Sequence, residues 1–236
     1  MNTKGSCTTI ALIGASGNMG RHTVEALART PDLNLIAKID RGMDIRAELI
    51  SARPDVTIDF TSAELGPAHT KLILEAGSRP VIGTSGFTEE DFVFLKVLAE
   101  ERGLGGIIAP NFSIGALLMM RMASLCAPFF KACEIIELHH DKKKDAPSGT
   151  AQRTAELLSK DLPTTPPIHS IRLPGLLAHQ KILFGGPGEL LTIGHDATSR
   201  ETYMPGVVLA CRAAMTLSKL VFGLEHILFD TDAPAK

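Results

Sequence analysis

Apolar residues in the first half of the chain come in short unbroken runs. Each run closes on glycine or small polar residues and is followed by a stretch with helical spacing. "TTIALIG" (8–14) is apolar almost throughout, as expected of a strand buried on both faces. A helix is predicted from about Asn18 to Thr30, where Pro31 ends it. "LNLIAKID" (33–40) and "DVTIDFT" (55–61) read as the second and third strands. A helix over about 67–76 leads to "RPVIGTSGF" (79–87), and another over about 88–102 leads to "GGIIAPNFS" (105–113). Strands alternating with helices in this way predict a Rossmann-like, doubly wound parallel sheet covered on both faces.

Beyond residue 112 the rhythm changes. An apolar helix over about 114–130 precedes the strand "CEIIELHH" (133–140), and a helix over about 150–159 precedes the Pro-rich break "LPTTPP". "IHSIRL", "HQKILFG" and "ELLTIGHDA" follow as three further strands. This pattern predicts a second, α+β domain with an open mixed sheet. The final apolar stretch, "GVVLACRAAMTLSKLVFGL" (206–224), reads as one closing helix that returns to the first domain. The expected partition is 1–112 with 206–236, and 113–205.

Composition narrows the classes. The chain has 236 residues, 44% hydrophobic and 21% charged, which is ordinary for a globular protein with a sizeable core. Lys plus Arg is 24 against Asp plus Glu at 26, so no basic excess points to nucleic acid. The longest apolar run is interrupted by Arg121 and Pro128, so no membrane span is expected. No long apolar run precedes Gly14, and no signal peptide is expected. Cys7, Cys126, Cys133 and Cys211 lack metal-ligand spacing, so no metal site is expected. All four lie in apolar or mixed stretches and are expected as buried, reduced thiols in a cytoplasmic protein.

Chemistry gathers at the strand ends. The first strand runs into "GASGNMGR", with glycines at 14, 17 and 20. Such a turn lets backbone approach a pyrophosphate, and the helix after it directs its amides at the negative charge. The spacing departs from the strict dinucleotide fingerprint, since Ser16 and Met19 stand where that motif has its second and third glycines. The surrounding strand–turn–helix and Asp40, closing the next strand, support dinucleotide binding. A carboxylate at 40 favours NADH, whereas a guanidinium at Arg41 can pair with the extra phosphate of NADPH. The two residues argue in opposite directions, and either cofactor is compatible.

The second cluster is "ELHHDKKKDAPSGTA" (137–151). Neighbouring strand residues face opposite ways, so His139 and His140 have different tasks if both lie in the strand. Ser148 is a candidate N-cap, and Gly149 and Thr150 would present free amides to a carboxylate or phosphate. A lysine adds a cation and a proton, and an imidazole can deliver a proton near neutral pH. These ingredients describe a reductase acting on a small carboxylic acid.

The run H-H-x-x-K-x-D-A-P-S-G-T, filled by His139, His140, Lys143, Asp145, Ala146, Pro147, Ser148, Gly149 and Thr150, closely resembles the signature of the dihydrodipicolinate reductase family. "GASGNMGR", "IDFT", "VIGTSGF" and "APNFSIG" extend the resemblance over most of the first 155 residues. It implies a two-domain enzyme of lysine and diaminopimelate biosynthesis that reduces a cyclic dicarboxylic imine with NADH or NADPH. It also implies a homotetramer assembled through the second domain's sheet. By the same resemblance His139 is the catalytic acid/base and Lys143 the proton donor. His140, Ser148, Gly149, Thr150 and Arg200 contact substrate, Arg200 through a matching Ser199-Arg200 step. Gly14, Ala15, Ser16, Gly17, Asn18, Met19, Asp40, Arg41, Gly83, Thr84, Ser85, Ala109, Pro110, Asn111 and Phe112 bind the cofactor. The residues alone also fit a reductase of the same architecture with another substrate, or a nucleotide-sensing protein without turnover.

Overall fold

The protein is described here from a computed structural model covering residues 7–229. The segments 1–6 and 230–236, which carry part of the signal-peptide expectation and the end of the first predicted domain, lie outside the described residues. In chain order the elements are β1 (Thr8–Ile13), α1 (Asn18–Ala28), β2 (Leu33–Ile39), α2 (Ile45–Ala52), β3 (Val56–Asp59), α3 (Gly66–Glu75), β4 (Arg79–Ile82), α4 (Glu89–Glu101) and β5 (Gly106–Ile108). There follow α5 (Ile114–Cys126), β6 (Ala132–His139), α6 (Gly149–Leu158), β7 (Ile168–Arg172), β8 (Ala178–Gly186) and β9 (Glu189–Ala197). The chain closes with α7 (Met204–Ala214), β10 (Leu220–Phe222) and α8 (Glu225–Phe229). Contacts divide the chain into two compact units, one reaching to Phe112 and resuming at Tyr203, the other Ser113–Thr202.

The first unit is built on a six-stranded parallel sheet of order β10-β5-β4-β3-β1-β2. Its central strands are buried along their length, which is why they read as continuous apolar runs rather than alternating ones. Ile13, Ile39, Ile82 and Ile108 from the strands pack with Leu49, Ile73, Leu74, Leu95 and Ala99 from the helices. The chain leaves β1 for β2 on one side and returns to β3 on the other. The β1–β3 gap is therefore the topological switch point, where open α/β sheets bind ligands.

The second unit is a four-stranded mixed sheet of order β7-β6-β8-β9, with β6 and β7 parallel and the other pairs antiparallel. Here alternation is clear. Cys133, Ile135 and Glu137 of β6 and Gln180, Ile182 and Phe184 of β8 are buried, while Ala132, Glu134 and Lys181 are exposed. Gln180 donates to Thr154 of α6 at 2.8 Å, so this buried side faces the helices and the other side is open.

Three expectations need correction. The closing helix is shorter than predicted: α7 ends at Ala214, and Leu220–Phe222 form a sixth parallel strand beside β5. A short apolar run does not distinguish helix from strand, and pairing with β5 decides it. The helix predicted to Phe130 is α-helical only to Cys126, and Ala127–Phe129 form a 3-10 turn containing Pro128. The four cysteines are free, but only Cys133 and Cys211 are buried; Cys7 is exposed and Cys126 half-buried. Helix α2 was not expected at all. It has just eight residues, capped by Asp44, which accepts from Ala47 N at 3.1 Å.

Among the described residues no helix is long and apolar enough to cross a membrane.

Candidate active site

The strand register places the expected cofactor segments along one edge of the first unit. Ile13, Ile39, Asp59, Ile82 and Ile108 lie at the ends of adjacent strands, and all but Ile39 are followed by a residue that continues the hydrogen-bond ladder. Gly14 N donates to Ile39 O at 2.8 Å, Gly83 N to Asp59 O at 2.9 Å, and Ala109 N to Ile82 O at 2.8 Å. Gly14, Asp40, Gly83 and Ala109, although far apart in sequence, therefore share one rim.

At that rim the β1–α1 loop is pressed against its surroundings. Gly14 has φ +81°, and a Cβ there would lie 2.9 Å from Phe60 O. A Cβ at Gly20 would lie 2.1 Å from Gly14 O. The first turn of α1 has no side-chain cap, so its amides are available to an anion. Arg21 fastens the loop by donating to Ser16 O at 2.7 Å and to Asn18 Oδ1 at 2.9 Å. Asp40 Oδ1 accepts from Ser16 N and Ser16 Oγ, both at 2.9 Å, and Oδ2 has no partner among the described residues. Arg41 is exposed.

The rest of the rim also suits a polar ligand. Thr84 Oγ1 is buried with no hydrogen-bond partner among the described residues, a condition that costs free energy unless a ligand group or water pairs with it. Gly83 is tight for another reason: a Cβ would lie 2.1 Å from the Phe60 ring, which meets Phe112 edge-on at 5.6 Å. Ser85 and Pro110 are exposed, and Asn111 is half-buried. The buried Asp59 accepts from Thr61 N at 2.8 Å and pairs with His69 Nδ1 at 2.9 Å, fixing the turn after β3. The amide-lined loop, the open Asp40 oxygen and the unpaired Thr84 hydroxyl thus fit a dinucleotide.

In the second unit β6 ends at His139, and His140 has already left the strand. Lys143 N closes the following turn on His140 O at 3.1 Å. Lys143 Nζ is not a free cation: it donates to both oxygens of Asp145, each at 2.8 Å. That interaction holds the Asp145 carboxyl below its ordinary range. Ser148 caps α6 as expected, its Oγ accepting from Ala151 N at 3.2 Å. Gly149 N and Thr150 N have no acceptor among the described residues, and a Cβ at Gly149 would meet nothing within 4 Å. Open space therefore lies beside a pair of free helix-start amides.

Two residues not anticipated from sequence organise this cluster. Glu137, two positions before His139 and on the same strand face, is fully buried. It accepts from Arg172 Nη1 at 2.9 Å, Arg172 Nη2 at 2.8 Å and Ser148 N at 3.2 Å, and also pairs with His139 Nδ1. Arg172 donates in addition to Asp145 O at 2.7 Å, tying strand β7 to the loop. Burial pushes the Glu137 carboxyl upward, but Arg172, Ser170 and His139 together outweigh it and hold the group at about 2. Burial also lowers His139, against the opposing pull of Glu137.

The Glu137 shift carries a stability consequence. Its folded pKa of about 2 lies below the ordinary 4.5, so its contribution is complete above pH 4.5 and is lost as pH falls toward 2. The expected loss is roughly 3 kcal/mol. Denaturant titrations at pH 7, 4 and 2.5 should show this acid sensitivity, and Glu137→Gln should diminish it.

Arg200 begins the 3-10 turn Arg200–Tyr203 after β9 and is half-buried. Among the described residues it makes no hydrogen bond to the 139–150 segment. The structure thus brings His139, Lys143, Ser148 and Asp145 into one network and leaves Arg200 outside it.

Comparison with known proteins places this arrangement. The family description "Dihydrodipicolinate reductase, N-terminus" matches residues 8–112, and "Dihydrodipicolinate reductase, C-terminus" matches 115–228. A 4-hydroxy-tetrahydrodipicolinate reductase from Geobacillus kaustophilus is 44% identical, the match covering 93% of this chain and 98% of that protein. Its counterpart from Bacillus subtilis is 41% identical, over 93% and 97%. A solved dihydrodipicolinate reductase from Paenisporosarcina sp. TG-14, with dipicolinate bound, superimposes with TM-score 0.84 at 37% identity, covering 93% of this chain and 99% of that one. An amine dehydrogenase from Mycobacterium smegmatis, at 10% identity and TM-score 0.70, shares the fold alone.

The class is that of NAD(P)H-dependent oxidoreductases with a Rossmann-like sheet. Within it, the chain belongs to the dihydrodipicolinate reductase family. The family's activity is 4-hydroxy-tetrahydrodipicolinate reduction, a step of lysine and diaminopimelate biosynthesis, with NADH or NADPH as reductant.

Proposed function

We propose that residues 1–112 with 206–236 bind the dinucleotide, and that 113–205 bind a small cyclic dicarboxylate and carry the proton chemistry. The observation that carries this reading is the 139–150 segment, where an imidazole, an ammonium and two free helix-start amides stand together in one unit. The reduced nicotinamide, when bound, supplies a hydride. Gly14, Ala15, Ser16, Gly17, Asn18 and Met19 cradle the pyrophosphate, and Asp40 accepts from ribose hydroxyls, with Arg41 beside it. Gly83, Thr84, Ser85, Ala109, Pro110, Asn111 and Phe112 complete the cofactor rim.

Gly149 and Thr150 amides, at the Ser148 cap, hold one substrate carboxylate. His140 and Arg200 add substrate contacts. Lys143 leaves Asp145, places its charge beside the electron density that develops in the ring, and delivers the proton. His139 serves as the acid/base partner that takes a proton from solvent and restores the one Lys143 has given up. The dipicolinate bound by the Paenisporosarcina protein supports a planar ring with two carboxylates as the ligand class. The open face of the second sheet, with Leu190 exposed on its edge strand, suits a homotetramer. The four free cysteines suit the cytoplasm.

The test follows NADH and NADPH oxidation while a synthase makes the substrate from pyruvate and aspartate semialdehyde. Oxidation is expected only with the synthase present. No oxidation despite intact cofactor binding would overturn the assignment. In the same assay Asp40→Ala should raise the KM for NADH about tenfold or more, the loss of a charged hydrogen bond. The KM for NADPH should change less.

A further inference from the structure

Glu137 has no part in the reaction as described above, yet four hydrogen bonds converge on it beside His139. A fully buried carboxylate is costly unless every lone pair is used. Here Arg172 takes both oxygens, Ser148 N takes Oε1 and His139 Nδ1 takes Oε2. An ionised carboxylate only accepts, so the ring nitrogen facing it carries the hydrogen. Nε2 then bears the lone pair, and it has no partner among the described residues.

We propose that Glu137 and Arg172 are positioning residues for the proton step. Glu137 selects the Nδ1–H tautomer of His139 and fixes the ring. Arg172 occupies the Glu137 charge and ties it to the Asp145 carbonyl of the Lys143 loop. The proposal rests on the reading of His139 as an acid/base group.

The charge arrangement gives Arg172 a second purpose. A buried carboxylate without a counter-ion would hold its histidine neighbour as imidazolium. With its carboxylate shared between Arg172 and His139, Glu137 can orient His139 without fixing its charge. The charged groups set around His139 are Glu137 on its own strand, Arg172 paired with it on β7, and Lys143 with its partner Asp145 on the loop. Its strand neighbour on β8 is Ala178, and α6 brings the uncharged Ser148 cap.

Glu137→Gln and Arg172→Met should therefore move the His139 pKa in opposite directions. The first removes an anion and lowers it, and the second leaves the anion unshared and raises it. The pH dependence of kcat/KM and 15N chemical shifts of the His139 ring report this, with the ring assigned by His139→Gln. Glu137→Gln should also lower kcat about 10- to 100-fold, a fraction of what general acid–base catalysis contributes, with NADH affinity unchanged.

A purely structural role predicts lower thermal stability for both variants without opposed pKa shifts, and that result would overturn the proposal. Wild-type protein decides the matter if a variant does not fold. At pH 8 its His139 ring should be in the Nδ1–H form, and an Nε2–H ring sinks the idea. Wild-type turnover in His139→Gln would instead overturn the reading of His139 itself. An impaired His139→Gln beside a Glu137→Gln with unaltered tautomer and pH profile would overturn the positioning role alone.

Discussion

Lys143→Ala and His139→Gln should each lower kcat about 100- to 10,000-fold, the range general acid–base groups contribute, while leaving NADH affinity intact. Both residues lie in the second compact unit, and the cofactor rim lies wholly in the first. Loss of either proton-handling group should therefore leave the rim unaffected. Lys143 is the sharper case because the proposed role gives its ammonium two tasks, as charge and as acid. Lys143→Arg separates the two. A guanidinium keeps the charge but does not release a proton in a protein, so it should rescue substrate-analogue binding and leave turnover low. Steady-state kinetics with dipicolinate as competitive inhibitor would measure both. Turnover within about a factor of two of wild type for Lys143→Ala would contradict its role, being far short of even the lower bound for such a group.

Gly20→Ala should be nearly as damaging, for a different physical reason. The added methyl would lie 2.1 Å from Gly14 O and 2.6 Å from Ala15 O. Both atoms are backbone, so neither can rotate away. The start of α1 must move off the loop proposed to hold the cofactor. Overpacking of this kind costs about 1–3 kcal/mol, and here the distortion falls on the binding loop. The expected result is at least a tenfold rise in NADH Kd, about 1.4 kcal/mol, together with a lower Tm. Gly17→Ala is the informative control. Gly17 has an ordinary φ of −68°, and its added methyl would meet Gly14 O at 3.2 Å, a contact that a small shift relieves. Fluorescence titration with NADH should therefore rank Gly20→Ala far worse than Gly17→Ala. Equal affinities would show that the close approach of α1 to the loop is not what shapes the site.

Much of the architecture could be read without coordinates because its signals are local. A strand buried on both faces is mostly apolar, as the buried parts of β1, β4 and β5 are, and β3 carries its buried Thr57 and Asp59 only because each is hydrogen-bonded. A helix start needs a cap, and Thr88 with Asp91 forms a reciprocal one at the start of α4. Ser148 likewise caps α6. Where the local signal was short the reading failed. Helix α2 has too few residues for a clear period, and Leu220–Phe222 is a strand because β5 is there to pair with it.

The same division holds within the candidate site. Residue order was enough to say which chemical groups are present: the glycine loop, Asp40, the two histidines, Lys143 and the amides after Ser148. Strand alternation would even have placed Glu137 on the face of His139. Tertiary structure alone decided what those groups do to one another. Arg172 reaches Glu137 across 35 positions of chain, because β7 runs parallel to β6 with Arg172 opposite His139. That pairing helps hold the Glu137 carboxyl ionised beside the imidazole. Lys143 is held by Asp145 rather than standing free. Hydrogen bonds depend on positions to within tenths of an ångström, and burial depends on what packs from elsewhere in the chain. Residue types are written in the sequence, whereas protonation and orientation follow from the neighbours that folding supplies.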